Sequence, residues 1–150
     1  MKAIKRLSTL AVVGILGLST FSCLNTDDSD NVYTTDGFFV ATKINVNFDS
    51  VQPVGQQTNV HVTFTTNSSC QNFVTFKELT GSNDSIQNIG AYGTQTNGST
   101  CVTDKKSVTK TYKFTPKKVG VNTIRVWAGK DPIEPTKDIY IEQTLDVKAK

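Results

Sequence analysis

Side chains that could carry out catalysis show no recognisable motif or pairing in this 150-residue chain. His61 is the single histidine, and it occupies the polar phase of an alternating segment, as an exposed strand residue does. The sequence contains no Gly-x-Ser-x-Gly elbow, His-Glu-x-x-His run, phosphate-binding loop or dinucleotide fingerprint. Its scattered Asp and Glu residues show no pairing of the kind that glycoside hydrolysis needs. We therefore expect a protein that is not an enzyme and that has no cofactor and no metal site.

Cys23 follows directly on an apolar segment near the start of the chain. Three basic residues precede the apolar range Leu7–Leu18, which is a secretory signal pattern too short for a stable membrane span; they are Lys2, Lys5 and Arg6. The stretch Leu18-Ser19-Thr20-Phe21-Ser22-Cys23 resembles the lipobox of bacterial lipoproteins, in the loose form that is common in Bacteroidetes. Ser22 fits the usual pattern, whereas the two residues before it depart from it. Ordinary signal-peptidase cleavage after Ser22 is the alternative.

The resemblance implies a lipid anchor on Cys23 after removal of the signal peptide 1–22. Two or three acyl chains hold a protein durably on a membrane, whereas a single chain holds it only marginally. Residues 23–36 are then expected to form a flexible acidic tether, because they are polar and lack an apolar period. The acidic stretch also looks like the signals that send Bacteroidetes lipoproteins to the outer face of the outer membrane; a merely solvated linker is the alternative. We expect a lipid-anchored outer-membrane protein that faces either the cell surface or the periplasm.

The lipoprotein resemblance also accounts for the odd number of cysteines. With Cys23 lipidated, Cys70 and Cys101 remain as a disulfide pair in an oxidising compartment. Removal of the signal peptide takes three of the 16 basic residues and leaves 13 against 13 acidic ones. A balanced charge argues against nucleic acid as a partner, since affinity for nucleic acid comes mostly from phosphate neutralisation.

Arg125 and Trp127 are the candidate binding residues. If Ile124 and Val126 face the core, the residues that alternate with them face solvent. An exposed Trp beside an Arg is a flat amphipathic platform that stacks on sugar rings or anchors a protein partner. The alternatives are a bulge that reverses the phase and a cover over Trp127 by the loop at 129–137.

Six lysines lie within residues 104–118, where only Asp104 offsets them. Such a segment either attracts a polyanion such as an acidic glycan or forms a solvated face or an edge strand that its charges protect against aggregation. The lysines are Lys105, Lys106, Lys110, Lys113, Lys117 and Lys118.

Two tripeptides, Asp49-Ser50-Val51 and Asp84-Ser85-Ile86, resemble the acceptor sequence of the general O-glycosylation system of Bacteroidetes. Each lies where a strand is expected to meet a turn. Ser50 and Ser85 are therefore candidate glycosylation sites.

Apolar and polar residues alternate over most of the chain beyond the tether, as in strands with one buried face. Turns that contain Gly, Pro or Asn separate these runs. About seven short strands predict an antiparallel β-sandwich. The first strand is expected to alternate Ile44, Val46 and Phe48 on one face, and the last to be bent or bulged near Gln143. The expected strands are 43–49, 59–64, 73–79, 86–92, 108–115, 123–128 and 139–147.

The segment Tyr112–Val126 resembles the penultimate hairpin of bacterial immunoglobulin-like domains, in which an aromatic strand runs into a Pro-x-x-x-Gly turn. That turn is Pro116–Gly120 here. The family often has a Tyr two residues after the glycine, whose hydroxyl caps the corner. Asn122 stands at that position, so the corner is either absent or made by an amide. The resemblance implies an immunoglobulin-like sandwich over residues 37–150.

Taken together, these patterns favour a binding or scaffolding role on the bacterial envelope. The expected ligand is a glycan or a partner envelope protein, with the membrane engaged through the lipid anchor. The alternative is an accessory subunit of a larger envelope complex that docks through an edge strand.

Overall fold

A computed structural model describes residues 32–150 as an all-β unit of eight strands with one short 3-10 turn at Phe48–Ser50. The predicted signal peptide 1–22, the lipidation site Cys23 and the tether up to residue 31 lie outside the described residues. The strands are β1 (Tyr33–Phe39), β2 (Ala41–Val46), β3 (Thr58–Ser68), β4 (Gln71–Glu78), β5 (Ile86–Asn97), β6 (Thr103–Phe114), β7 (Gly120–Lys130) and β8 (Asp138–Val147).

The strands form two packed sheets. In the five-stranded sheet, β4 pairs with one edge of β5. The other edge of β5 pairs with β7 along residues 86–89 and with β1 along residues 91–97. β8 pairs with β7 and completes this sheet. The second sheet has the order β2-β3-β6. The β-sandwich prediction is confirmed, although β5 and β7 run parallel, so that the arrangement is not wholly antiparallel.

The core lies between the sheets and follows the predicted alternation. Val60 and Val62 on β3 and Ile124 and Val126 on β7 are all fully buried. A second cluster at the other end of the interface consists of Phe39, Phe64 and Ala91. Burial of such side chains stabilises a fold by about 1.5–3 kcal/mol each.

Three local expectations are wrong. Residues 33–36 are not part of a flexible tether but the start of β1, since their backbones pair with residues 94–97 of β5. Phe48 does not continue the first predicted strand; it lies in the 3-10 turn and is 61% exposed. The bulge lies not at Gln143 but in β7, where Ala128 is the extra residue between the pairs Trp127–Tyr140 and Gly129–Ile139.

The disulfide between Cys70 and Cys101 is present, with the two Cα atoms 5.5 Å apart. It joins the turn between β3 and β4 to the segment that connects β5 and β6. Because β4 and β6 belong to different sheets, the bond ties the two layers together at one end of the sandwich.

The corner between β6 and β7 is made by an amide. Gly120 adopts a φ of +90° there, a conformation that favours glycine. The buried side chain of Asn122 donates two hydrogen bonds through Nδ2, to the carbonyl of Lys118 at 2.8 Å and that of Gly120 at 2.9 Å. Asn122 thus takes the place of the capping Tyr in the hairpin that this segment resembles.

Substitution of Asn122 by Ala is expected to lower the free energy of unfolding by about 1–3 kcal/mol, because it removes the two hydrogen bonds that this buried amide donates. Urea denaturation of the variant measures this loss. Asn59→Ala is the matched control, since Asn59 is an exposed strand residue whose replacement should change stability by less than about 0.5 kcal/mol. Equal stability of the two variants would contradict the capping role.

Candidate binding surface

Arg125 and Trp127 lie on the outer face of β7, as the alternation predicts. Ile124 and Val126 between them are fully buried, whereas Arg125 and Trp127 are half-buried. The bulge at Ala128 follows Trp127 and therefore does not reverse the face on which the indole lies.

Aromatic side chains from two further strands surround the indole of Trp127. The ring of Phe38 on β1 lies 6.0 Å from the indole, and the ring of Tyr92 on β5 lies 5.5 Å from that of Phe38, edge to face. Phe38 is still 37% exposed. Aromatic pairs at these separations are favourable beyond the area they bury, so the rings hold one another on the outer face.

Phe38 reaches this position because β5 has a glycine beneath it. A Cβ atom added to Gly90 would lie 2.5 Å from Cδ1 of Phe38, a distance at which the ring must move. The lack of a side chain at Gly90 therefore leaves the space that the Phe38 ring occupies.

A hydrogen bond to a charged carboxylate fixes the orientation of the indole. Nε1 of Trp127 donates to Oδ1 of Asp138 at 2.7 Å, and Nζ of Lys130 forms an ion pair with the same oxygen at 2.8 Å. The hydrogen bond from Lys130, followed by that from Trp127, lowers the pKa of Asp138 below its ordinary value. The carboxylate is therefore ionised at neutral pH and holds the tryptophan in place.

The cations of this face are placed over aromatic rings. The Arg125 guanidinium lies 4.9 Å from the ring centroid of Tyr140 and forms an ion pair with Glu142 at 2.6 Å. Nζ of Lys77 lies 3.0 Å from the ring centroid of Tyr92. Cations at these distances are attracted to the ring faces, which gives the surface an aromatic centre and a charged rim.

We call Phe38, Tyr92, Arg125, Trp127 and Tyr140 together the Trp127 surface. A groove of about 340 Å³ runs along it, with Phe38, Trp127 and Tyr140 on its apolar side. Glu78, Lys130 and Asp138 supply its charged groups. Lys130, which lies within the predicted covering loop at 129–137, and Asp138, which directly follows that loop, border the groove beside Trp127. A groove of this size and mixed lining is of the kind that takes a small ligand or one segment of a larger one.

Sequence reasoning found two of the five residues of the Trp127 surface. Arg125 and Trp127 follow from the alternation within β7. Phe38, Tyr92 and Tyr140 come from three other strands, and the pairing of β1 with β5, of β5 with β7 and of β7 with β8 brings them together. The adjacent aromatic pair at 38–39 is the one local signal that bears on Phe38.

The lysines of the predicted segment lie on both faces of β6 and in the turn between β6 and β7. β6 is an edge strand, since it pairs only with β3, which supports the reading of edge protection. Lys106 and Lys110 share the inner phase of β6 with the half-buried Val108, whereas Lys105 and Lys113 alternate onto the outer phase. Charges on the inner phase of an edge strand are one means by which proteins block strand addition.

The remaining predicted residues are dispersed. His61 is exposed on the outer face of β3, and its Nδ1 lies 3.2 Å from Oγ1 of Thr111. Ser50 is exposed at the end of the 3-10 turn, where its hydroxyl donates to the carbonyl of Asn47 at 2.8 Å. Ser85 is half-buried directly before β5. None of these three residues belongs to the Trp127 surface.

Across residues 32–150, no group of three or more His, Cys, Asp or Glu side chains is arranged to hold a metal ion. The same part of the chain has no helix with the length and apolar character that a membrane crossing requires. Comparison of the sequence and the structure with protein-family models, curated proteins and solved structures found no match.

The emission of Trp127, the single tryptophan of the chain, is expected to change as Asp138 is protonated. The midpoint should lie below the ordinary pKa of an aspartate, because Lys130 and Trp127 lower it. The interaction is present above that pH and is lost as the pH falls through the midpoint. A fluorescence titration from pH 6 to pH 2 measures the transition.

Two variants make this titration specific. Asp138→Asn should abolish the transition, and Lys130→Met should move the midpoint upward by removing the largest cause of the lowered pKa. A transition that persists unchanged in Asp138→Asn would contradict the assignment.

Proposed function

We propose that this chain is a lipid-anchored protein of the bacterial envelope that binds a glycan without chemical catalysis. The Trp127 surface is the observation that carries the proposal. Its half-buried indole and the neighbouring rings offer flat apolar faces beside charged and polar groups. Sugar rings present a C–H face and a hydroxyl edge, so they match an aromatic surface with a polar rim.

Preorganisation supports a binding role for these side chains. Trp127 is held by Asp138 and packed against Phe38, while Arg125 is held by Glu142 and Tyr140. Side chains that are already ordered lose less conformational entropy when a ligand arrives, and this reduces the cost of binding.

The anchor is proposed on the sequence alone, from the lipobox-like residues that end at Cys23. The Cys70–Cys101 disulfide supports the same proposal, because disulfides persist in oxidising compartments such as the bacterial periplasm and the cell surface. The compartment that we propose is the outer membrane, with the domain on its surface or on its periplasmic side.

Detergent-phase partition tests the anchor. The mature protein is expected to enter the detergent phase and to carry the mass of two or three acyl chains at its N-terminus, whereas a Cys23→Ser variant should carry no acyl chain and remain in the aqueous phase. A mature wild-type N-terminus with an unmodified amine, together with aqueous partition, would contradict the anchor.

A glycan array tests the binding role. The mature protein, kept in a detergent without a sugar head group, is expected to bind a subset of glycans, and Trp127→Ala should weaken that binding about tenfold or more. The expected size follows from the loss of a large contact residue of the kind that dominates binding surfaces. Phe48→Ala is the control, since it removes an exposed ring that lies outside the Trp127 surface.

A second candidate is docking to an envelope protein through the edge of β8. β8 has ten residues, pairs only with β7 and contains neither Lys nor Pro, so it lacks two common devices that block strand addition. Absence of glycan binding by both wild type and Trp127→Ala, together with a co-purifying protein that Gln143→Pro releases, would favour this candidate over the first.

A further inference from the structure

A second cavity lies on the side of the sandwich where β4 and β6 are the edge strands. β4 pairs only with β5, and β6 pairs only with β3, so the two sheets are not joined by hydrogen bonds there. The cavity has a volume of about 310 Å³, at the lower end of the range of about 300–1,000 Å³ that small-molecule sites occupy. We call it the Lys110 groove.

An aromatic ring forms its apolar wall. Phe73 on β4 is half-buried and stacks on the fully buried Phe64, with the ring centroids 5.3 Å apart and the planes inclined by 27°. Phe76 packs against the ring of Phe73, with the ring centroids 5.0 Å apart. Phe73 is thus fixed by the core while it lines the groove.

Hydroxyl and amide groups line the rest of the groove. The hydroxyl oxygens of Ser68 and Ser69 accept backbone N–H groups at 3.2 Å and 3.1 Å. The Ser68 O–H is therefore able to donate to a ligand, whereas the Ser69 hydroxyl also lies 3.9 Å from the sulfur of Cys70. Asn72 alternates with Phe73 along β4 and is exposed at the rim of the groove. A purely hydrocarbon ligand would desolvate these groups without pairing them, at a cost in affinity.

Lys110 supplies a positive charge at this site. It pairs in register with the buried Val62 and therefore lies on the inner phase of β6, with Nζ 5.9 Å from the ring centroid of Phe73. Lys106, the other lysine of the groove, forms an ion pair with Asp104. Within residues 32–150, no such pair involves Lys110, so its charge is available to an anion.

We propose that the Lys110 groove binds a carboxylated sugar residue of the hexuronate class. The carboxylate lies against Lys110, the sugar hydroxyls bond to the two serines, and the C–H face of the sugar packs on Phe73. The site is separate from the Trp127 surface, shares no residue with it and stands whether or not that surface binds a glycan.

Calorimetric titration of the mature protein, in a detergent without a sugar head group, tests this assignment with trigalacturonate and with galactotriose. The two ligands share the sugar configuration and differ in the carboxylates. We expect the acidic trisaccharide to bind at least tenfold more tightly. Lys110→Gln should weaken its binding about three- to tenfold, as expected for one partly exposed charge-assisted contact.

Lys113→Gln is the matched control, because Lys113 is an exposed lysine on the outer phase of the same strand; its binding should stay within twofold of wild type. Neither lysine contributes to the core, so both variants are expected to fold. Loss of trigalacturonate binding in Trp127→Ala with full retention in Lys110→Gln would place the ligand on the Trp127 surface, and would overturn this proposal while supporting the proposed function.

Several results would overturn the proposal. They are the absence of trigalacturonate binding, equal affinity for the neutral trisaccharide, and equal weakening by Lys110→Gln and Lys113→Gln. Binding of triaspartate as tight as that of trigalacturonate would show that charge alone is recognised, and would likewise overturn the assignment to a sugar.

Discussion

The attachment of β1 to β5 depends on two glycines that receive two aromatic rings. Phe38 and Phe39 point to opposite faces of the five-stranded sheet, and each ring lies over a glycine of β5. A Cβ atom would lie 2.5 Å from the Phe38 ring at Gly90 and 2.3 Å from the Phe39 ring at Gly93. Phe39 continues inward to stack on Phe64 at 5.2 Å, whereas Phe38 continues outward to Trp127. One pair of adjacent residues thus links the core to the candidate binding surface.

The sequence predicted those strands whose inner faces carry unbroken apolar residues. β3 carries Val60 and Val62 on its inner face, and β7 carries Ile124 and Val126 on its inner face. All four are fully buried. β1 escaped prediction because a single inner residue, Phe39, is buried in it, and its pairing partners are more than 50 residues away. Phe48 shows the opposite error: it keeps the period of β2, but the chain turns at Asn47, whose side chain accepts the N–H of Asp49.

The two candidate sites differ in how much of them a sequence can reveal. Alternation within one strand places Arg125 and Trp127 on a common face, so that two of the five residues of the Trp127 surface were accessible to prediction. The Lys110 groove is lined by residues of β3, β4 and β6, which belong to two sheets. The periodicity within one strand does not predict which edge strands of the two sheets become neighbours. From the sequence, the lysine segment predicted only a positive charge. Lys110 differs from Lys113 because it lies on the inner phase of β6.

The position at which β1 begins also limits the distance between Cys23 and the Trp127 surface. Nine residues separate Cys23 from Tyr33, and a fully extended chain advances at most about 3.6 Å per residue, which limits this span to about 36 Å. Phe38 lies five residues further along β1, or about 17 Å at the rise of a strand. With acyl chains on Cys23, the indole face would therefore stand no more than some 55 Å from the bilayer. A large polymer would have to come within that distance of the lipid headgroups before the Trp127 surface made contact with it.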